Sequence, residues 1–133
     1  MERLRQRLEL AEQALRSFQE LASLDNPSPV ERDAAIQRFE YTFEAVWKAG
    51  QGFLLVKEGL DTGSPKSCIR AAGQTGLLSE QATQGALEMA DDRNLTAHTY
   101  NEGLAKAIFG RLSRHAATMS AWLGAIRQRM AND

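Results

Sequence analysis

Apolar residues recur along this chain in steps of three and four. Over 2–24 they are Leu4, Leu8, Ala11, Leu15, Phe18 and Ala22, which is one face of a helix. Arg3, Arg5, Arg7, Glu9, Glu12 and Arg16 are available for its other faces. The pattern stops at D25-N-P-S-P29, a stretch of turn chemistry. Ser28-Pro29-Val30-Glu31 opens a second helix. Ser28 can cap it, Pro29 stands where a missing N–H costs nothing, and Glu31 completes a capping box. This helix is expected from about 29 to about 58, with a stripe of Ile36, Phe39, Phe43, Val46, Trp47 and Phe53. Gly50 and Gly52 mark a weak point or a close backbone approach, and Gly59 is the expected C-terminal stop.

L60-D-T-G-S-P65 reads as a loop, and Ser64-Pro65 repeats the cap-plus-proline start. It opens a short helix to about Ala72, ended by G73-Q-T-G76. Ser79 caps the next helix, whose apolar side includes Ala82, Ala86, Leu87 and Ala90. A last helix begins near Asn101 and runs to about 130, through Leu104, Ile108, Leu112, Met119, Leu123, Ile126 and Met130. No run of β-branched residues alternates with polar ones. The pattern predicts an all-α fold: an antiparallel up-and-down four-helix bundle with an additional short helix, in one domain over 1–133. Helices of some 30 residues span roughly 45 Å, long for one small bundle, so a dimer is expected.

Composition narrows the function more than the fold. With 133 residues, 43% of them hydrophobic and 25% charged, the chain can bury roughly two-thirds of its unfolded surface. No apolar run approaches the roughly 20 residues that span a bilayer. The amphipathic, charged N-terminus lacks the apolar core of a secretory signal. No membrane contact is expected, and the expected compartment is the cytoplasm. Net charge is −1, whereas a non-specific grip on nucleic acid needs a basic surplus, so any such contact must come from a local patch. Cys68 is the only cysteine, which excludes an intrachain disulfide and a cysteine metal cluster. His98 and His115 lack zinc-ligand spacing, so neither a metal nor another cofactor is expected.

The densest chemistry lies in D91-D-R-N-L-T-A-H-T-Y100. On a straight helix Arg93 and Tyr100 share a face and Asn94 and His98 share another, but Arg93 and His98 point about 140° apart. Either the helix breaks inside the motif or a second chain supplies part of the site, as two copies facing across a dimer axis would. An Arg/His pair suits metal-free RNA cleavage. Histidine, with an ordinary pKa of about 6.5, can take the 2′-OH proton or protonate the leaving oxygen. Arginine can stabilise charge on the phosphate, with Asn94 and Thr96 as supporting polar groups. The structural alternative has Arg93 paired with Asp91, Asp92 or Glu88, His98 partly buried, and Tyr100 an interface aromatic.

Elsewhere the ordinary readings weigh more. Trp47 and Trp122 are expected in the core or an interface, and Cys68 as a small buried residue. His115, beside Arg111 and Arg114, is expected on a solvated face rather than in an RNA-facing strip. Arg3, Arg5 and Arg7 are likewise a solvated face before they are a phosphate or partner surface. Lys66 and Arg70, one turn apart, can guide an anion but carry no assignment.

R93-N-L-T-A-H98-T-Y100 resembles the R-x4-6-H motif of the HEPN superfamily, and its H-x-Y ending resembles the HepT-like branch, also described as nucleotidyltransferase substrate-binding proteins. R38-F-E-Y-T-F-E-A-V-W-K48 is similar to that group's second helix. The resemblance implies a helical bundle that dimerises with its motifs facing one another. It implies metal-independent ribonuclease activity carried by Arg93 and His98. It also implies a partner, a separately encoded minimal nucleotidyltransferase antitoxin that uses ATP and Mg²⁺ to transfer AMP to Tyr100. The other reading of the same group is a non-catalytic subunit that binds substrate or nucleotide for a nucleotidyltransferase.

Overall fold

Each of the later helices starts at a side chain that satisfies the orphan N–H groups of its first turn. Ser28 and Glu31 form the reciprocal capping box, with bonds of 2.8 and 3.1 Å. Ser64 caps with Ser67 as its partner, Ser79 accepts from the Ala82 N–H, and Asn101 accepts from the Leu104 N–H. The computed structural model describes residues 1–132 as α1 (Glu2–Ala22), α2 (Pro29–Glu58), α3 (Pro65–Gln74), α4 (Glu80–Leu95), a 3-10 turn (Thr96–His98) and α5 (Glu102–Ala131). The described residues contain no strand. Gly59 ends α2 at φ 67°, the left-handed conformation a glycine adopts without Cβ strain. The expected helix order and starts agree with this, and α3 runs two residues past the expected end.

Side-chain contacts fix the directions. Arg7 reaches the Lys48 carbonyl and Thr42 the Ala14 carbonyl, so α1 and α2 are antiparallel. Glu88 meets Arg114 and Asp92 meets Arg111, so α4 and α5 are antiparallel too. Arg32 meets Glu102 at one end of α2 and Glu58 meets Arg129 at the other, so α2 and α5 run parallel. The four long helices therefore alternate in direction, with α2 and α5 as the central pair. Short α3 packs on both α2 and α4.

The core is continuous from Leu4 to Ile126 and includes every residue of the α1 and α2 stripes named above. Trp122 is fully buried and lies against Gly50, where a Cβ would come within 2.7 Å of its ring. Gly50 thus marks a close helix approach, and both tryptophans are core residues. Cys68 is buried, and burial raises its thiol pKa to about 11. No helix of the described residues is long and apolar enough to cross a membrane.

Candidate functional site

The motif sits where α4 loses its helical register. The Thr96 hydroxyl donates to the Arg93 carbonyl at 2.6 Å, competing for the backbone at the helix end. The chain tightens into the 3-10 turn Thr96–His98, and Asn101 then caps α5. Of the two ways out of the straight-helix conflict, the structure supplies a break inside the motif.

The break separates the named residues into two groups. Arg93 stays on α4 and packs toward α2, where Nη1 lies 3.6 Å from Glu40 and Nε 3.7 Å from Glu44. Its Nη1 also donates to the Thr96 hydroxyl at 3.1 Å, and Thr96 is buried. Glu44 in turn accepts from the Trp47 indole N–H at 3.1 Å. Asn94 is exposed and shares a cavity of about 310 Å³ with Arg93, Glu44 and Lys66. His98 and Tyr100 lie beyond the break. Their rings meet edge to face with centroids 6.0 Å apart, and Tyr100 is 86% exposed. Among the described residues no hydrogen bond or ion pair joins Arg93 to His98. Arg93 therefore pairs with α2 carboxylates rather than with Asp91, Asp92 or Glu88, and His98 is exposed rather than partly buried.

Directly before Arg93 lies a network that sequence reasoning missed. Asp92 is 5% exposed and takes a bidentate pair from Arg111, with both bonds at 2.8 Å. Its Oδ2 also lies 2.6 Å from His115 Nε2. His115 is 1% exposed and stacks on Phe39 at 5.5 Å. The expectation of a solvated His115 is overturned, and the reason is positional. It falls in the apolar stripe between Leu112 and Met119, while Arg111 is only partly buried and Arg114 is exposed. That spacing was the available signal.

Charge explains why the network holds. Burial raises the Asp92 pKa, but hydrogen bonds from Arg111 and His115 outweigh it and hold the carboxyl below its ordinary value. Burial pushes the His115 imidazole below its ordinary value and outweighs the opposing pull of Asp92. His115 is thus neutral near pH 7, donating through Nε2, with Nδ1 unpartnered in the core. Lys66 on α3 reaches Asp91 at 2.6 Å. Both aspartates that precede Arg93 are therefore engaged elsewhere.

The family model described as "Nucleotidyltransferase substrate binding protein like" matches residues 6–128. The chain belongs to this nucleotidyltransferase substrate-binding-like family. Both segments that carried the sequence resemblance, 38–48 and 93–100, fall inside the match. Among solved structures, a protein of Thermus thermophilus is 60% identical, with a TM-score of 0.86 over 88% of this chain and 98% of that one. A Haemophilus influenzae protein, described as the substrate-binding domain of a nucleotidyltransferase, is 23% identical with a TM-score of 0.73, covering 90% of this chain and 98% of that one. A mutant of the toxin–antitoxin pair MntA–HpeT is 12% identical with a TM-score of 0.79, covering 96% of this chain and 99% of the matched one. These last two likenesses establish the shared helical fold. No significant match is found among curated proteins.

Proposed function

We propose that this family member is the toxin of a two-protein toxin–antitoxin system: a HEPN-type, metal-independent endoribonuclease. Arg93 and His98 act on RNA, and a partner minimal nucleotidyltransferase silences the site by transferring AMP to Tyr100. The observation that carries this reading is the break at Thr96. It turns His98 and Tyr100 out to solvent while Arg93 stays anchored beside a cavity. An exposed imidazole can exchange protons with a substrate, and an exposed tyrosine hydroxyl can meet a second enzyme's active site. Since Arg93 and His98 do not touch within one chain, the reading includes a homodimer in which the two motifs complete each other. An AMP group on Tyr100 would add an anion and bulk beside His98, where an RNA phosphate must lie. One domain over 1–133 carries both roles.

One observation favours a second reading. Arg93 faces two carboxylates, Glu40 and Glu44, which suits a non-catalytic subunit that binds substrate or nucleotide for a nucleotidyltransferase. Purified chain in EDTA separates the two. RNA cleavage lost in both Arg93→Ala and His98→Ala supports the ribonuclease. Cleavage retained in both variants, or absent in the unmodified wild type, removes it. Intact mass after incubation with the partner and ATP tests the switch: an added AMP mass should disappear in Tyr100→Phe.

A further inference from the structure

Arg93 and Glu44 line two cavities at once. The first, about 310 Å³, lies toward α3 and presents Lys66, Ser64 and Asn94. The second, about 410 Å³, lies along α2 and presents Gln37, Glu40 and Tyr41. Each alone is at the small end of ligand pockets, and joined they fall within the ordinary range of about 300–1,000 Å³.

The two lobes differ in chemistry. The α3 lobe is lined by two cations, Arg93 and Lys66, with the carboxylate of Glu44, and Lys66 also pairs with Asp91 at 2.6 Å at its edge. Arg93 Nε is shielded from solvent and makes no hydrogen bond, and among the described residues the exposed Asn94 amide has no partner either. Unused donors beside two cations suit a phosphate. The α2 lobe holds the Tyr41 ring, 44% exposed, with its hydroxyl tied to Ser17 at 2.9 Å. That bond holds an exposed ring in one orientation, which suits base stacking. Gln37 and Glu40 supply an amide and a carboxylate for the edge of a base.

We propose that the two cavities form one site for a nucleoside monophosphate unit, with the base on Tyr41 and the phosphate among Arg93, Lys66 and Asn94. The inference deepens the reading above and depends on it only for the origin of that unit, a residue of single-stranded RNA or a free nucleotide. The phosphate enters by displacing Glu44 and Glu40 from Arg93 and by sharing Lys66 with Asp91, a solvent-exposed pair at 2.6 Å. The two Arg93 pairs are partly exposed and longer than 3.5 Å, at 3.7 Å to Glu44 and 3.6 Å to Glu40, so they hold the guanidinium weakly. Charge-assisted hydrogen bonds to phosphate replace them.

The test is a titration of the isotope-labelled full chain, followed by amide NMR, with AMP, adenosine, inorganic phosphate and hexaadenylate as probes. AMP should shift the amides of 37–44, 64–66 and 90–94 and bind roughly tenfold more tightly than adenosine. Lys66→Ala should weaken AMP roughly tenfold and leave adenosine unchanged. Tyr41→Ala should weaken AMP and adenosine roughly tenfold and leave inorganic phosphate unchanged, while Tyr41→Phe keeps the ring and most of the affinity. AMP shifts confined to other helices, or wild-type AMP binding in both alanine variants, would overturn the site. Displacement of AMP by hexaadenylate assigns the site to RNA, and AMP binding without competition assigns it to free nucleotide. AMP binding as described without RNA cleavage keeps the site and removes the ribonuclease. Cleavage with unaltered AMP binding in Lys66→Ala and Tyr41→Ala does the reverse.

Discussion

At the residue scale, the Asp92–His115–Arg111 network is the buried charged network that borders the motif. It joins α4 to α5 one residue before Arg93, inside the core. Removing one member of a buried charged network costs about 3–5 kcal/mol, because its partners remain buried and unpaired. Arg111 is partly exposed, so the lower end applies. Asp92→Ala should therefore lower unfolding free energy by about 3 kcal/mol in urea titrations. His115 gives the protein a pH dependence of known sign. Its folded pKa lies below the ordinary value, so the unfolded state binds the proton more readily. The stability it contributes is complete above about pH 6.5 and declines as pH falls below that. Asp92, also depressed, contributes above the ordinary carboxylate range and loses its share only in stronger acid. Urea midpoints at pH 7.5 and 5.5 should fall further in wild type than in His115→Phe, which keeps the ring stack on Phe39 and cannot titrate. An equal fall in both would count against a neutral buried His115.

At the element scale, the parallel crossing of α2 and α5 depends on Gly50. An added Cβ would sit 2.7 Å from the ring of Trp122, which is fully buried in the core. Overpacking of this kind costs about 1–3 kcal/mol, against a helix-propensity gain of about 1 kcal/mol for alanine over glycine. Gly50→Ala should lower the melting temperature by a few degrees despite the better helix former. A higher melting temperature would show that the crossing relaxes freely. Helix starts and stops were legible in the sequence because caps are local: Ser28 with Glu31, Ser64 before Pro65, Ser79, and Gly59 all act within a few residues. The solvated face expected for His115 rests on its charged neighbours Arg111 and Arg114, which are poor guides to its own burial. Burial follows the position on the helix rather than the nearest residues in the chain.

At the scale of the whole molecule, the near-neutral charge limits how RNA can be held. Most cations are spent on internal pairs, such as Arg38 with Glu20, Arg127 with Glu12 and Arg111 with Asp92. Arg93 and Lys66, the cations of the proposed nucleotide site, are themselves paired with Glu40, Glu44 and Asp91, so each chain should release at most about two counterions on binding. The logarithm of the RNA association constant should then fall with the logarithm of salt concentration at a slope of about −1 to −2 per chain. Fluorescence anisotropy with a labelled oligoribonucleotide measures it, and a much steeper slope would place the binding on an extended basic surface instead.

Periodicity and capping by themselves determined that this chain is helical, where its helices begin, and which residues of α1 and α2 enter the core. Those features depend on contacts a few residues apart, and a single sequence contains them in full. The R93-to-Y100 motif was visible in the same way, as was the conflict between Arg93 and His98 on one straight helix. Only the tertiary structure decided how that conflict resolves: Thr96 turns back on Arg93, α4 breaks, and His98 leaves with Tyr100. It alone gave Arg93 its α2 carboxylates, buried His115 against Asp92, and brought Tyr41 and Lys66 to cavities that share one arginine. These pairings join residues from 23 to more than 50 positions apart, so packing between helices sets them and local spacing does not.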